Sequence, residues 1–187
     1  MQQLTALYVR YTGEEPASIA QITGAGSNRQ YFRFVGNNGE SIVGVIGTSR
    51  DENHAFIYLD RHFMLRRLPV PRVLAVSDDE LRYLQTDLGH TSLYDAISGG
   101  REAGGRYNQK EQQLLVSAIR ELPNFQMRGA RGLDWNNCYP QPEFDEESVL
   151  FDLNYFKYCF LKATGLDFHE LKLEANFRMF AKDLTAE

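Results

Sequence analysis

The chain has 187 residues, of which 43% are hydrophobic and 12% aromatic, a composition typical of a globular protein rather than a disordered one. Its formal net charge of −5 argues against a nucleic-acid-binding protein that relies on overall positive charge. No apolar run approaches the length of a membrane span, and residues 1–4 lack the basic start and apolar stretch of a signal peptide. We therefore expect a cytoplasmic protein that binds neither nucleic acid nor membrane.

The first half of the chain is predicted to form a sheet with a helix packed against it. A helix over residues 3–12 is followed by three predicted strands, over 18–23, 30–35 and 41–46. The turn before the third strand contains two asparagines between two glycines, and both residue types tolerate positive φ.

A second helix, with Asp51 as its expected N-cap, comes next, and two more strands are predicted over 73–77 and 81–86. The order is therefore three strands, one helix and two strands. Because the connections between consecutive strands are short, we expect an antiparallel sheet.

After residue 89 the pattern becomes helical. Thr91 is predicted to cap a short helix, and Asn108 with Glu111 three residues later resembles a capping box at the start of a longer one. A long helix rich in large apolar residues is predicted over 145–164, and a last amphipathic helix follows it. The fold class expected from the whole pattern is α+β.

Metal ligands are not predicted within the chain. Cys138 and Cys159 lack the spacing of a metal site, and the four histidines are scattered along the sequence. We expect both cysteines to be free thiols in a reducing compartment.

The segment Gly24-Ala25-Gly26-Ser27-Asn28 lies between the first two predicted strands and has two interpretations. It is either a loop whose glycines let backbone N–H groups approach phosphates without interference from side chains, or only a hairpin turn. A glycine-rich hairpin between the first two strands of a five-stranded sheet, with one helix after the third strand, is the arrangement of a kinase small lobe. The strand order therefore favours the phosphate-binding interpretation.

Four stretches of sequence carry a resemblance to a known family: residues 26–33 (GSNRQYFR), 68–75 (LPVPRVLA), 85–89 (QTDLG) and 151–161 (FDLNYFKYCFL). The first three are similar to a Ser-x-Arg-x-Tyr-x-Arg signature, a V-P-R-(I/V)-L-A strand entry and an E-D-L-G stretch. The fourth looks like the long helix that opens the large lobe. Together they resemble the aminoglycoside phosphotransferase superfamily, which shares the protein-kinase-like fold, and in particular its bacterial N-acetylmuramate and N-acetylglucosamine kinases.

The resemblance implies a small lobe over residues 1–87, made of a five-stranded antiparallel sheet plus one helix, and the first helices of a helical large lobe over 88–187. It also implies a transferase that uses ATP and Mg²⁺ to phosphorylate a hydroxyl of a sugar or an aminoglycoside-like small molecule. The nucleotide-binding residues that it implies lie in the loop, on the second strand and at the end of the fifth strand: Gly24, Ala25, Gly26, Ser27, Asn28, Arg29, Tyr31, Arg33, Gln85, Thr86, Asp87 and Leu88.

The lysine that holds the nucleotide phosphates in most kinases of this fold is missing from the third strand, residues 41–47. Period-two spacing places Arg29, Tyr31 and Arg33 on one face of the second strand. Our hypothesis is that Arg29 or Arg33 supplies the missing charge, and the alternative is that both are solvated strand arginines.

Glu52 opens the next helix, where kinases keep the glutamate that pairs with the lysine. Without that lysine, we expect Glu52 to act in capping and in stabilising the helix dipole.

The catalytic loop of the family, His-x-Asp-x-x-x-x-Asn, is not found in this sequence, because none of the four histidines is followed by aspartate two residues later. We therefore predict no catalytic residue within the chain. The expectation is an N-terminal fragment whose catalytic residues would follow Glu187.

Asp87-Leu88-Gly89 resembles a Mg²⁺-binding Asp-Phe-Gly. Its place directly after the fifth strand instead favours its interpretation as the segment that joins the lobes.

Two other functions stay open at this point. The chain is alternatively a non-catalytic kinase-like module that binds nucleotide or another protein, or that self-associates through helices exposed by truncation. A third interpretation is an unrelated α+β protein whose hairpin binds nothing. Trp135, in a polar loop, either faces a sugar or anchors the loop by packing.

Overall fold

The structure, a computed structural model, describes residues 1–23 and 28–186. The α-helices of these residues are α1 (Gln2–Thr12), α2 (Arg50–Leu65), α3 (Leu93–Ala96), α4 (Ser98–Glu102), α5 (Gln109–Pro123), α6 (Glu146–Phe156) and α7 (Glu170–Thr185). The strands are β1 (Ser18–Ile22), β2 (Gln30–Val35), β3 (Ser41–Ile46), β4 (Val73–Val76) and β5 (Arg82–Thr86). Shorter π and 3₁₀ segments cover Asn124–Gly129, Trp135–Asn137, Lys157–Leu161 and Lys162–Thr164.

The five strands form one open antiparallel sheet in the order β1-β2-β3-β5-β4. This confirms the predicted α+β class and the five-stranded antiparallel sheet with a helix after the third strand. The predicted bounds of β2 and β3 are correct, and those of β1, β4 and β5 are one residue too long. The asparagine-glycine turn before β3 is also confirmed, with Gly39 at φ +81°.

Each face of the sheet packs against one helix, because side chains along a strand alternate between the two faces. The α1 face is made of buried residues from the helix and from β2 and β5: Leu4, Leu7, Tyr8, Phe34 and Leu84. The α2 face is made of Val43, Val45 and Tyr83, and Phe56 of α2 stacks on the Tyr83 ring with 5.1 Å between the centroids. Tyr31 packs on this second face, and by alternation Arg33 belongs to it too.

Gly44 of β3 lies beneath α1, where no room exists for a side chain. A Cβ atom at this position would lie 2.6 Å from a ring carbon of Phe34 and 3.0 Å from a methyl of Leu4. We predict that Gly44→Ala lowers the free energy of unfolding by about 1–3 kcal/mol, because an overpacked core forces its neighbours to move. Urea unfolding measures this effect. Gly44→Ala combined with Leu4→Ala should cost less than the sum of the single variants, and strict additivity would show that the contact with Leu4 does not contribute to the effect.

Side chains cap the starts of α2, α3 and α5, but two of the predicted caps are wrong. Ser49, not Asp51, caps α2, since its Oγ accepts a hydrogen bond from the Glu52 backbone N–H at 3.3 Å. Ser92, not Thr91, caps α3 in a capping box with Asp95. The capping box of Asn108 and Glu111 at the start of α5 is confirmed.

The chain divides into two compact units, residues 1–139 and 140–187. The first contains the sheet and helices α1 to α5, and the second contains α6 and α7, which pack together and are joined by an ion pair between Lys157 and Glu174. The lobe boundary predicted between residues 87 and 88 stays a prediction. The predicted helix over 145–164 begins at Glu146, with Asp145 as its cap, and its last turns are π and 3₁₀.

Both cysteines are free, as predicted. In the part of the chain that the structure describes, no helix combines the length and apolar character that crossing a membrane requires.

Candidate nucleotide-binding site

Four of the predicted phosphate-loop residues, Gly24, Ala25, Gly26 and Ser27, lie outside the described residues. Asn28, the fifth, is exposed at the start of the described chain that leads into β2. The geometry of the site therefore rests on the residues on either side of this loop and on those at the end of β5.

Arg29 forms an ion pair with Glu52 in the first turn of α2. Its Nη2 lies 3.0 Å from Glu52 Oε1 and donates a hydrogen bond to the Glu52 carbonyl oxygen at 3.2 Å. The guanidinium also lies over the Phe56 ring, 5.3 Å from its centroid. The Arg29 side chain is only 12% exposed, so this pair is less screened by water than an ordinary surface ion pair.

Glu52 was expected to stabilise the start of the helix, and it does lie in the first turn of α2. The structure adds a second contact, because the Glu52 carboxylate also pairs with Arg29. In protein kinases a glutamate of the helix after the third strand pairs with a lysine of that strand. Here β3 places Val45, fully buried, in the core of the α2 face, and the cation comes from the residue before β2. Gln30 lies opposite Ile46, at the end of β3 from which the chain enters α2, so Arg29 and Glu52 meet at the same end of the sheet.

The rings of Tyr31 and Tyr83 belong to the apolar packing next to this ion pair. Tyr31 packs against Val43, Val45 and Tyr83, and Tyr83 has no exposed surface. Burial raises the pKa of the Tyr83 phenol well above its ordinary value. The phenol is therefore neutral, and Arg29 and Glu52 carry the charge at this end of the α2 face.

Arg33 lies in the second half of β2 and contacts the segment that follows β5. Its Nε and Nη2 donate to the two carboxylate oxygens of Asp87 in a forked arrangement, with 2.9 Å between Nη2 and Oδ1. Nη2 also donates to the Gly89 carbonyl at 2.7 Å, and Nη1 lies 2.8 Å from Nδ1 of His90. Arg33 thus contacts three residues of one short segment.

Asp87 receives further hydrogen bonds besides those of Arg33. Ser41 Oγ donates to Oδ2 at 2.8 Å, and the Gly89 backbone N–H donates to Oδ1 at 2.9 Å. The Arg33 hydrogen bond is the largest cause that holds the pKa of Asp87 well below its usual range, and the Gly89 and Ser41 hydrogen bonds add to it against the opposing effect of burial. The Asp87 side chain is 6% exposed and carries a full negative charge at neutral pH.

The remaining predicted residues lie at the end of β5. The Thr86 backbone N–H donates to the Arg72 carbonyl and Thr86 Oγ1 accepts from the Arg72 N–H, both at 2.9 Å. Thr86 and Asp87 line a cavity of about 730 Å³ that extends toward the end of α1. Gln85 is half-buried opposite Val43 and Val73, whereas Leu88 is 75% exposed.

The far end of α2 is fixed by hydrogen bonds to residues 129–134. His62 Nε2 lies 2.7 Å from the Gly129 carbonyl, Tyr58 OH accepts from the Asp134 N–H at 2.8 Å, and the Arg66 Nε donates to the Arg131 carbonyl at 2.8 Å. Edge-to-face contact between the Phe63 and Phe125 rings adds apolar packing. This anchoring holds α2 in place, and with it the Glu52 carboxylate that faces Arg29.

The predicted site residues therefore form two groups, one around Arg29 directly before β2 and one around Arg33 in its second half. Sequence reasoning missed Ser41, Phe56 and His90 as members of these groups. By alternation, Ser41 lies on the α2 face with Arg33 and Asp87. Alternation could predict their contact only if β5 were known to lie beside β3.

Residues 1–23 and 28–186 contain no group of three or more His, Cys, Asp or Glu side chains arranged to hold a metal ion. No model of a known protein family matches the chain, and no curated protein is significantly similar to it in sequence. The kinase resemblance therefore stays a prediction.

Proposed function

We propose that this chain forms the nucleotide-binding part of an ATP-dependent phosphotransferase that acts on a hydroxyl of a sugar or an aminoglycoside-like small molecule. The observation that carries the proposal is the sheltered ion pair between Arg29 and Glu52, directly after the glycine-rich loop. An arginine held this way keeps its guanidinium in a fixed position directly after a glycine-rich sequence, and both features suit the binding of a triphosphate.

The chain's own residues divide the work of binding in this proposal. Arg29 contributes charge to the phosphates, and Glu52 and Phe56 fix the direction of its guanidinium. The N-terminus of α2 adds the partial positive charge of a helix dipole near the same place. Mg²⁺ bound with the nucleotide would neutralise part of the phosphate charge.

The fold supports the same proposal. Five antiparallel strands, with the glycine-rich connection between β1 and β2 and a helix between β3 and β4, are the arrangement that the resemblance implies for a kinase small lobe. The end of β5, which the resemblance assigns to the adenine base, presents the exposed Leu88 side chain.

A second candidate function is a non-catalytic module that binds nucleotide or associates with another chain. Exposed apolar side chains on α5, namely Val116, Ile119 and Leu122, favour it because such surfaces drive association. Sizing of the purified chain over a range of concentrations tests self-association. A monomer at all concentrations would remove this form of the second candidate.

Calorimetric titration of the purified chain with Mg²⁺-ATP, Mg²⁺-GTP and inorganic tripolyphosphate tests the first proposal. We expect saturable binding of a nucleoside triphosphate, with a dissociation constant between about 1 μM and 1 mM, the range of ordinary enzyme substrates. The same ligand should raise the melting temperature in a concentration-dependent way. Absence of both binding and stabilisation at millimolar nucleotide would contradict the proposal.

A further inference from the structure

The contacts of Arg33 are unusual because they all lead to one short segment. Four donor–acceptor contacts join its guanidinium to Asp87, Gly89 and His90, which follow β5 directly. A guanidinium has five N–H donors, so most of its hydrogen-bonding capacity is used within this network.

Burial distinguishes this network from an ordinary surface ion pair. The side chains of Arg33 and Asp87 are 14% and 6% exposed, whereas the Arg82–Asp79 pair in the turn between β4 and β5 has values of 18% and 46%. Ser41 adds a hydrogen bond to Asp87 from β3. The residues after β5 are thus tied by side chains to two other strands.

The segment needs such support because it has no regular secondary structure to stabilise its backbone. Gly89 has φ +97°, a region that other residues rarely adopt, and residues 87–91 belong to no helix or strand. The Gly89 N–H is held by the Asp87 carboxylate rather than by a backbone partner.

We infer that Arg33 is a positioning residue, which fixes residues 87–90 against the sheet through Asp87 and thereby sets the surface on which the base of the nucleotide lies. This inference rests on the proposed function. It assigns a different part of the ligand to each of the two arginines. Arg29, directly before β2, contacts the phosphates, and Arg33, within β2, acts on the base through the segment after β5.

The two roles predict opposite responses to a ligand that lacks a base. Arg33→Gln should weaken the binding of ATP by about tenfold, and tripolyphosphate should bind as it does to the unchanged protein. Arg29→Gln should weaken both ligands. Arg33→Lys keeps the charge but not the forked geometry, so it should behave like Arg33→Gln. Arg82→Gln, which removes an arginine ion pair outside the network, is the matched control and should leave both ligands unchanged.

Two results of the titration would overturn the inference. Equal weakening of ATP and tripolyphosphate by Arg33→Gln would mean that Arg33 contacts the phosphates itself. Unchanged binding of both ligands to a folded Arg33→Gln variant would mean that the network has only a structural role.

Hydrogen exchange without any ligand separates this inference from the proposed function. In Arg33→Gln, the backbone amide of Gly89, which donates to Asp87, should exchange about tenfold faster or more, while the amides of the paired strands β2 and β3 should change little. Unchanged exchange at Gly89 would overturn the positioning role even if the protein binds ATP. Faster exchange at Gly89 in a protein that binds no nucleotide would uphold the positioning of this segment, but it would contradict both the proposed function and the assignment of the base to the segment. Asp87→Asn gives a second route to the same measurement if Arg33→Gln does not fold.

Discussion

Arg29→Gln is expected to lower the affinity for ATP by about 10- to 100-fold. A hydrogen bond to a charged group contributes about 1.5–3 kcal/mol, and about 1.4 kcal/mol corresponds to a factor of ten. The variant should fold, because Glu52 is 37% exposed and water can solvate its carboxylate once the arginine is gone. Titration calorimetry at constant ionic strength measures the affinity.

Glu52→Gln distinguishes the charge of Arg29 from its orientation. This variant keeps the cation but weakens the group that directs it, so its effect on ATP affinity should be smaller than that of Arg29→Gln. A larger effect of Glu52→Gln than of Arg29→Gln would show that the charge of Arg29 is not the main contribution. Wild-type affinity in Arg29→Gln would show that this ion pair is not part of the nucleotide site.

Asp87→Asn is expected to lower the free energy of unfolding by about 3 kcal/mol at pH 7. Removing one partner of a buried ion pair leaves the other charge without compensation, and such changes cost about 3–5 kcal/mol. Arg33 would keep its contacts with Gly89 and His90, which places the expected effect at the lower end. Chemical unfolding of both proteins gives the difference.

The stability difference between wild type and Asp87→Asn should also depend on pH. The pKa of Asp87 is lower in the folded protein than its ordinary value of about 3.9, so the carboxylate contributes stability that is fully present above that value. This contribution is lost as the pH falls through the lowered folded pKa. The difference between wild type and Asp87→Asn should therefore be constant from pH 7 to about pH 5 and shrink below about pH 4.

Asp79→Asn is a suitable control for both measurements. Hydrogen bonds from Ser77 and the Leu81 backbone, together with Arg82, lower the pKa of Asp79 to about 2, but its side chain is 46% exposed. Solvent screening should keep its effect below about 1 kcal/mol. If Asp79→Asn destabilised the protein as much as Asp87→Asn, burial would not be the source of the strength of the Arg33–Asp87 pair.

Much of the sheet could be predicted from local sequence. Alternating side chains in β2 and β3, with two asparagines and two glycines between them, specify strands and turn together, and their bounds are correct. Helix caps were less predictable, because Ser49 and Asp51 are both good N-cap residues and the choice depends on where the chain leaves β3.

The site could be predicted only in part, because its contacts join residues far apart in sequence. The alternation of Arg29, Tyr31 and Arg33 is local, but the partners Glu52 and Asp87 lie on other elements. Which arginine meets which carboxylate depends on the register of β2 on β3 and on β5 lying beside β3.

Amide hydrogen exchange of residues 24–28, measured with and without Mg²⁺-ATP, tests the central claim most directly. If the loop binds the phosphates, these amides should become markedly protected when ATP is added, and tripolyphosphate should protect them as well. Amides in the turn between β2 and β3 serve as an internal control and should not change. Exchange in residues 24–28 that is identical with and without saturating ATP would contradict the nucleotide-binding account.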